Sequence, residues 1–106
     1  MDPSLRWGDR MKSGWVYIMT NRPFCTLYIG VTSDLAGRVW QHKDGRGSSH
    51  CKKHGLTRLV YVEQHGRIDD AIVREKAMKA WKRNWKLRQI MEMNPDWNDL
   101  YETLNA

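Results

Sequence analysis

Trp15-Val16-Tyr17-Ile18-Met19-Thr20 and Leu27-Tyr28-Ile29-Gly30-Val31-Thr32 are short apolar runs rich in β-branched and aromatic residues, the composition of strands. Between them lie Asn21, Arg22 and Pro23, residues that favour turns. A hairpin is therefore predicted, and its register follows from the pattern. Val16 and Ile18 make one apolar face of the first strand, and Leu27, Ile29 and Val31 make one on the second. Placing these together leaves Tyr17 and Tyr28 on the opposite face, because successive side chains alternate. Gly30 then sits across from Tyr17 with no side chain to block access. Two phenols beside an uncovered backbone form one wall of a candidate site.

Downstream, Thr32-Ser33-Asp34 supplies a helix cap with an acid in the first turn. The helix is expected to reach about Lys43, where Gly45 and Gly47 end it. Leu35 and Val39 should face the core, with Arg38 and His42, four apart, on a neighbouring stripe. A basic loop holding Arg46, His50, Lys52, Lys53 and His54 precedes a third strand at Leu59–Val62. A second helix should open at Asp69, with Ile68 and Val73 as a hydrophobic staple. Its buried face would carry Ala71, Ile72 and Met78, and Glu75 falls among them. A carboxylate there is costly unless paired. Asn84 is expected to cap a helix reaching Met93, and Asn94-Pro95-Asp96 to start another. Trp97, Leu100, Tyr101 and Leu104 would then dock as one stripe. Residues 1–13 show no periodicity and read as a flexible tail before a single domain at 14–106.

The 106 residues suffice for one small core. Six Trp, four Tyr and one Phe supply large apolar area, which excludes a disordered chain despite its charge. A net charge of +6 favours a polyanionic partner, nucleic acid first and an anionic membrane surface second. No run of about 18 apolar residues and no charged-then-apolar leader is present, so neither a membrane span nor a signal peptide is expected. Cys25 and Cys51 form no spaced pair and read as free thiols in a reducing cytoplasm. His50, Cys51 and His54 lack a fourth ligand and read as a loop without metal. Lys76, Lys79, Lys82, Arg83, Lys86 and Arg88 make either a solvated helix surface or a face that tracks phosphates. Trp81 and Trp85 are expected to be packed rather than stacked on bases.

Taken singly, Tyr17 and Tyr28 would be ordinary sheet residues, Arg38 with His42 a solvated helix face, and Glu75 a partner for a lysine. Taken in order, Tyr17 in Trp-Val-Tyr, Tyr28 in Tyr-Ile-Gly, Arg38, His42 and Glu75 in Arg-Glu-Lys resemble the GIY-YIG nuclease family. The run Tyr-Ile-Gly-Val-Thr-Ser-Asp-Leu and the late Asn-Pro-Asp-Trp are similar to its small single-domain bacterial members. The resemblance covers about residues 14 to 104. It departs in the first block, where Trp15-Val16-Tyr17 stands for Gly-Ile-Tyr with the tyrosine kept. A later asparagine of the family has no clear counterpart.

The resemblance implies an α/β (α+β) fold, a small three-stranded antiparallel sheet flanked by helices with a helical C-terminal region. It also implies metal-dependent hydrolysis of phosphodiester bonds. Tyr17 would activate the attacking water, Tyr28 position it, Arg38 bind the scissile phosphate, and His42 assist proton transfer. Glu75 would hold the metal, Mg2+ or Mn2+. Lys43, Arg46, Lys52, Lys53, Lys79 and Lys82 would contact the nucleic acid, DNA first and RNA second. The residue types suit this chemistry. A phenol with a pKa of about 10 needs a cation or relay to act as a base near neutrality. The planar fork of arginine matches a phosphate, and magnesium is commonly held by one carboxylate with water and phosphate oxygens. A binding module that holds nucleic acid without cutting it is the alternative reading.

Overall fold

Alternation of apolar residues along three short runs produces the sheet on which the other elements pack. The computed structural model describes residues 13–44 and 55–105. The tail at 1–12 and the loop carrying Arg46, His50, Cys51, Lys52, Lys53 and His54 lie outside these residues. Strand β1 (Gly14–Thr20) pairs antiparallel with β2 (Leu27–Thr32) on one side and β3 (Arg58–His65) on the other, giving the order β2-β1-β3. Helix α1 (Leu35–Lys43) follows β2, and helices α2 (Ile68–Ala80) and α3 (Arg83–Met93) follow β3. A 3-10 helix (Leu100–Asn105) comes last. The architecture is the expected three-stranded antiparallel sheet flanked by helices. No helix among the described residues is long and apolar enough to cross a membrane.

Both sheet faces are covered. Val16, Ile18, Ile29 and Val31 pack with Ile68, Ala71 and Met78 of α2, Ile90 of α3 and Trp97. Tyr17 and Met19 pack on the other face with Leu35 and Val39 of α1, Leu56 and Leu59. Gly14 makes the first layer possible, because a Cβ there would lie 2.8 Å from the Ile68 backbone. Ile68 is itself the first residue of α2 and is buried, whereas Val73 is 69% exposed. The expected staple between them does not form, since position 73 faces away from the sheet.

The predicted third strand is interrupted by a bulge. Ile18 pairs with Tyr61 and Met19 with Leu59, so Val60 has no partner in the register. An extra residue of this kind leaves the ladder locally unsatisfied. Asn94 supplies the missing bond: its side-chain amide donates to Val60 O at 3.2 Å and to Asn98 O at 2.8 Å. Its Oδ1 accepts from Asn98 N at 3.1 Å, and the residue is 4% exposed. Asn94 is thus the C-cap of α3 and a tie to the sheet, and no α-helix starts at Asn94-Pro95-Asp96. The cap of α3 also differs from expectation. Lys82 occupies it without a side-chain bond, and Asn84 lies inside the helix.

The C-terminal segment docks, but not as one stripe. Trp97 enters the α2 layer, while Leu100, Tyr101 and Leu104 pack against the α1 layer. The chain therefore wraps the β3 edge. Arg58 Nη1 donates to Trp97 O at 3.0 Å, and Asp99 Oδ1 accepts from Leu59 N at 3.3 Å and Tyr101 N at 3.0 Å. These bonds occupy an edge that would otherwise invite pairing with another chain.

A polar network joins β3 to α2. Tyr61, Glu63 and His65 alternate along the strand and so share a face. Glu63 accepts from Tyr61 Oη at 2.5 Å and Arg74 Nε at 3.0 Å, and contacts His65 Nε2 at 2.6 Å. Burial pushes the Glu63 carboxyl up, but bonds from Tyr61, His65 and Arg74 outweigh it and hold it below the usual 4.5. Burial and the adjacent carboxylate push the Tyr61 phenol up to about 12, so it stays protonated and acts as a donor. Arg74 also lies over the Trp81 ring at 4.8 Å, and Trp81 meets Trp85 edge-on. Trp81 is partly buried as expected, while Trp85 is 54% exposed.

Asn94→Ala should lose about 1–3 kcal/mol in urea unfolding, since a buried carbonyl and amide are left unsatisfied. The Glu63 network gives a pH signature. Its depressed folded value makes the stabilisation full above the unfolded value of 4.5 and lost as pH falls through the folded one. Wild type should therefore melt above Glu63→Gln at neutral pH, and the gap in melting temperature should close as the pH is lowered. A gap that stays constant down to low pH would exclude the network as its source.

Candidate active site

The strand register puts a bulky ring where only glycine permits one. Tyr17 pairs directly with Gly30, so both point to the α1 side of the sheet. A Cβ at position 30 would lie 2.5 Å from both Cζ and Oη of Tyr17. The Tyr17 ring therefore lies over Gly30, and the space expected to be open is filled by the phenol. Tyr28, two residues before Gly30, shares this face. The predicted register and the common face of the two tyrosines are thus both present.

Helix α1 brings the third ring. Its N-cap Asp34 accepts from Gly37 N at 3.2 Å, which satisfies one of the free amides of the first turn. Leu35, Val39 and His42 are its buried residues. Their spacing of four and three places them on one helical stripe. His42 thus belongs to the core-facing stripe itself, not to a neighbouring one with Arg38. Its Nε2 lies 2.9 Å from Tyr17 Oη in a buried hydrogen bond. Ring centroids are 5.6 Å apart for Tyr17 and His42, 5.3 Å for Tyr28 and His42, and 6.3 Å for the two tyrosines. An unpartnered phenol hydroxyl at this depth would cost about 1–3 kcal/mol, which explains the tight pairing.

Exposure divides the cluster into inner and outer members. Tyr17 is 1% and His42 2% exposed, whereas Tyr28 and Arg38 are half-buried. Arg38 lies one turn before His42, and its Nη1 donates to Gln41 Oε1 at 3.0 Å. Tyr28 is thus the outer member of the ring cluster, and Arg38 stands on the helix that carries His42.

Glu75 is placed differently. It lies on α2, the helix of the opposite layer, which packs over β1 and the edge strand β2. Its side chain is only 12% exposed, and its Oε1 is 3.2 Å from Lys79 Nζ. The structure thus joins Tyr17, Tyr28 and His42 in one cluster, with Arg38 on the same helix as His42, and carries Glu75 on the helix of the opposite layer. The expected cost of its apolar setting is met by a lysine one turn on. No group of three or more His, Cys, Asp and Glu among the described residues is arranged to hold a metal. Glu75 is a single hard oxygen donor, which fits Mg2+ or Mn2+ completed by water and phosphate oxygens.

The expected nucleic-acid contacts separate into groups. Lys43 turns inward, ion-paired with Asp99, donating to Thr57 O at 2.9 Å and lying 5.1 Å above the Tyr101 ring. Its charge fastens α1 to the C-terminal segment and is paired within the fold. Lys79 pairs with Glu75, and Lys82 is exposed at the start of α3. Arg46, Lys52 and Lys53 lie outside the described residues. Arg83 donates from Nη2 to the carbonyls of Phe24 at 2.9 Å and Cys25 at 2.6 Å, so this cation braces the hairpin loop. Sequence reasoning missed the Glu63 network, although alternation of Tyr61, Glu63 and His65 signalled a shared face.

The family described as GIY-YIG catalytic domain matches residues 13–102. A UPF0213 protein of Staphylococcus aureus (strain N315) is 35% identical over 85 residues, covering 77% of this chain and 99% of that protein. A UPF0213 protein of Staphylococcus epidermidis (strain ATCC 12228) is 34% identical over 67 residues, covering 63% of this chain and 82% of its own. No solved structure matches.

Gly30→Ala tests the packing at the centre of the site. Because the new methyl collides with the Tyr17 ring, it should lower stability by about 1–3 kcal/mol in urea unfolding. Adding Tyr17→Leu to the same chain should recover part of that loss. Strictly additive losses would mean that the two positions do not touch.

Proposed function

Because the chain belongs to the GIY-YIG catalytic-domain family, we propose that it is a metal-dependent endonuclease hydrolysing DNA phosphodiester bonds. The observation that carries this reading is the buried Tyr17–His42 pair set over Gly30 beside Tyr28, with Arg38 one turn before His42 on α1. A phenol with an ordinary pKa of about 10 is a weak base near neutrality. A relay removes that obstacle. Tyr17 takes a proton from the attacking water as its own passes across 2.9 Å to His42 Nε2. His42 serves in the tautomer whose Nε2 is free to accept, and no free phenolate forms. Tyr28 aligns the water. Arg38 leaves Gln41 to grip the phosphate through parallel hydrogen bonds and offsets charge that builds on its oxygens.

Glu75 is the residue that would hold the ion, which when bound supplies Lewis acidity toward the leaving oxygen. Its bond to Lys79 gives that lysine a second role, as a cation freed toward the DNA backbone when the carboxylate takes a metal. The solvated face of α2 and α3, with Lys76, Lys82, Lys86 and Arg88, would follow the phosphates. DNA repair, recombination or structure processing is the setting such an activity suits. The burial of Tyr17 and His42 favours a second reading, a module that holds DNA on this face without cutting it.

The test is incubation of purified protein with labelled duplex, branched and single-stranded DNA, with and without Mg2+ or Mn2+. Wild type should cut only with metal. Tyr17→Phe should slow cleavage by about 10²–10⁴-fold. Arg38→Ala should slow it by about 10²–10³-fold with a much smaller loss of binding. Glu75→Gln should abolish cleavage and weaken Mn2+ binding while the fold survives, since glutamine is nearly the same size and removes a largely buried charge. Salt-sensitive binding without cleavage under any metal would establish the binding module instead. A Glu75→Gln protein that still cuts would remove this residue from the site.

A further inference from the structure

The loop joining β1 to β2 is built to hold one aromatic ring in solvent. Thr20 Oγ1 shares its one proton between Arg22 O at 2.9 Å and Thr26 O at 2.7 Å, and Cys25 N donates to Arg22 O at 3.2 Å. At its tip Phe24 adopts a φ of 57°, a left-handed conformation that bulky residues rarely occupy. Such strain persists only where surrounding structure imposes it. Here Arg83 grips the carbonyls of Phe24 and Cys25 with one nitrogen. The Phe24 ring meets Trp97 at a centroid distance of 4.8 Å. Trp97 is itself 1% exposed and donates its indole N–H to Met91 Sδ at 3.0 Å. One side of the Phe24 ring is thus fixed on a buried support, yet the residue remains 57% exposed.

Its surroundings favour nucleic acid over an apolar protein surface. Arg22 lies two residues before it, and exposed Lys82 caps α3, whose first residue Arg83 meets the loop. The net charge of the chain is +6. The loop also stands at the end of the sheet where Tyr28 enters β2, four residues beyond Phe24. An aromatic face flanked by cations is the pattern that binds single strands, with bases stacked on the ring and phosphates held by the charges.

We propose that Phe24 is a stacking platform for an unpaired nucleobase, and that the site accordingly prefers DNA with unpaired bases to fully paired duplex. This rests on the nuclease reading above and names its substrate class. Arg83 acts through the loop as a positioning residue, holding the ring outward without touching the base.

The test uses the full chain without added metal, so that nothing is cut, and oligonucleotides carrying 2-aminopurine in a single-stranded gap or in paired duplex. Wild type should bind the gapped DNA more tightly and quench its fluorescence by stacking. Phe24→Ala and Phe24→Leu should abolish quenching and weaken binding to gapped DNA by about 5- to 100-fold. Affinity for duplex should change less than twofold, and Phe24→Trp should retain both signals. The leucine and tryptophan variants keep an apolar contact with Trp97 and preserve the test if alanine disturbs the loop. Unchanged quenching in Phe24→Leu, or equal losses on gapped and paired DNA, would overturn the stacking role while cleavage by wild type upheld the nuclease reading. A wild type that cuts DNA but does not discriminate gapped from paired strands would also overturn it, leaving the exposed ring to a protein partner. A wild type that neither binds nor cuts either DNA would overturn both.

Discussion

The Tyr17 ring seated on Gly30 is the contact on which the rest of this structure depends. It exists only in one register, Tyr17 opposite Gly30. Because side chains alternate along a strand, a slip of one residue would exchange the two faces. Val16 and Ile18 would then meet α1 in place of α2, and Tyr17 would lose His42. The apolar pattern and the glycine select the same pairing, so fold and site share one determinant. A local choice that agrees with the global packing is what makes a sequence specify one structure.

This agreement explains why the hairpin and α1 were legible in the sequence. The strands alternate cleanly, Asp34 offers an N-cap, and Leu35 and Val39 have helical spacing. The common face of Tyr17 and Tyr28 follows from these local rules, whereas the four-residue spacing from Arg38 set His42 on a neighbouring stripe when it belongs with Leu35 and Val39. Where structure arises from distant partners, the sequence was less informative. Nothing local marks Val60 as a bulge, since its carbonyl is satisfied by Asn94, 34 positions on. Asn94-Pro95 carries the composition of a helix start, yet the asparagine side chain is committed to the sheet. Trp97 and Tyr101 have one-face spacing in sequence but pack on different layers, because a φ of 55° at Trp97 redirects the chain.

Charges show the same limit. Lys43 at the end of a helix reads as a surface cation, and only the fold reveals Asp99 beside it. Arg83 reads as one more member of a basic cluster, whereas two carbonyls of the hairpin loop claim it. Composition reports how much positive charge a chain has, not how much remains after internal pairing. Among the described residues, the exposed cations of α2 and α3 lie on a different layer from the tyrosine cluster.

That segment also imposes an order on biosynthesis. The chain is made from its N-terminus, and domains emerge from the ribosome at about 5–20 residues per second. Both tyrosines and α1 are translated early, but the Asp99 carboxylate that anchors Lys43 comes 56 positions after it. Until that late residue has been made, Lys43 at the end of the helix carrying His42 lacks its counter-charge, and the bonds of Asp99 to the β3 edge are missing. The nascent chain therefore holds the residues of the tyrosine cluster well before it holds the carboxylate that fastens their helix to the C-terminal segment.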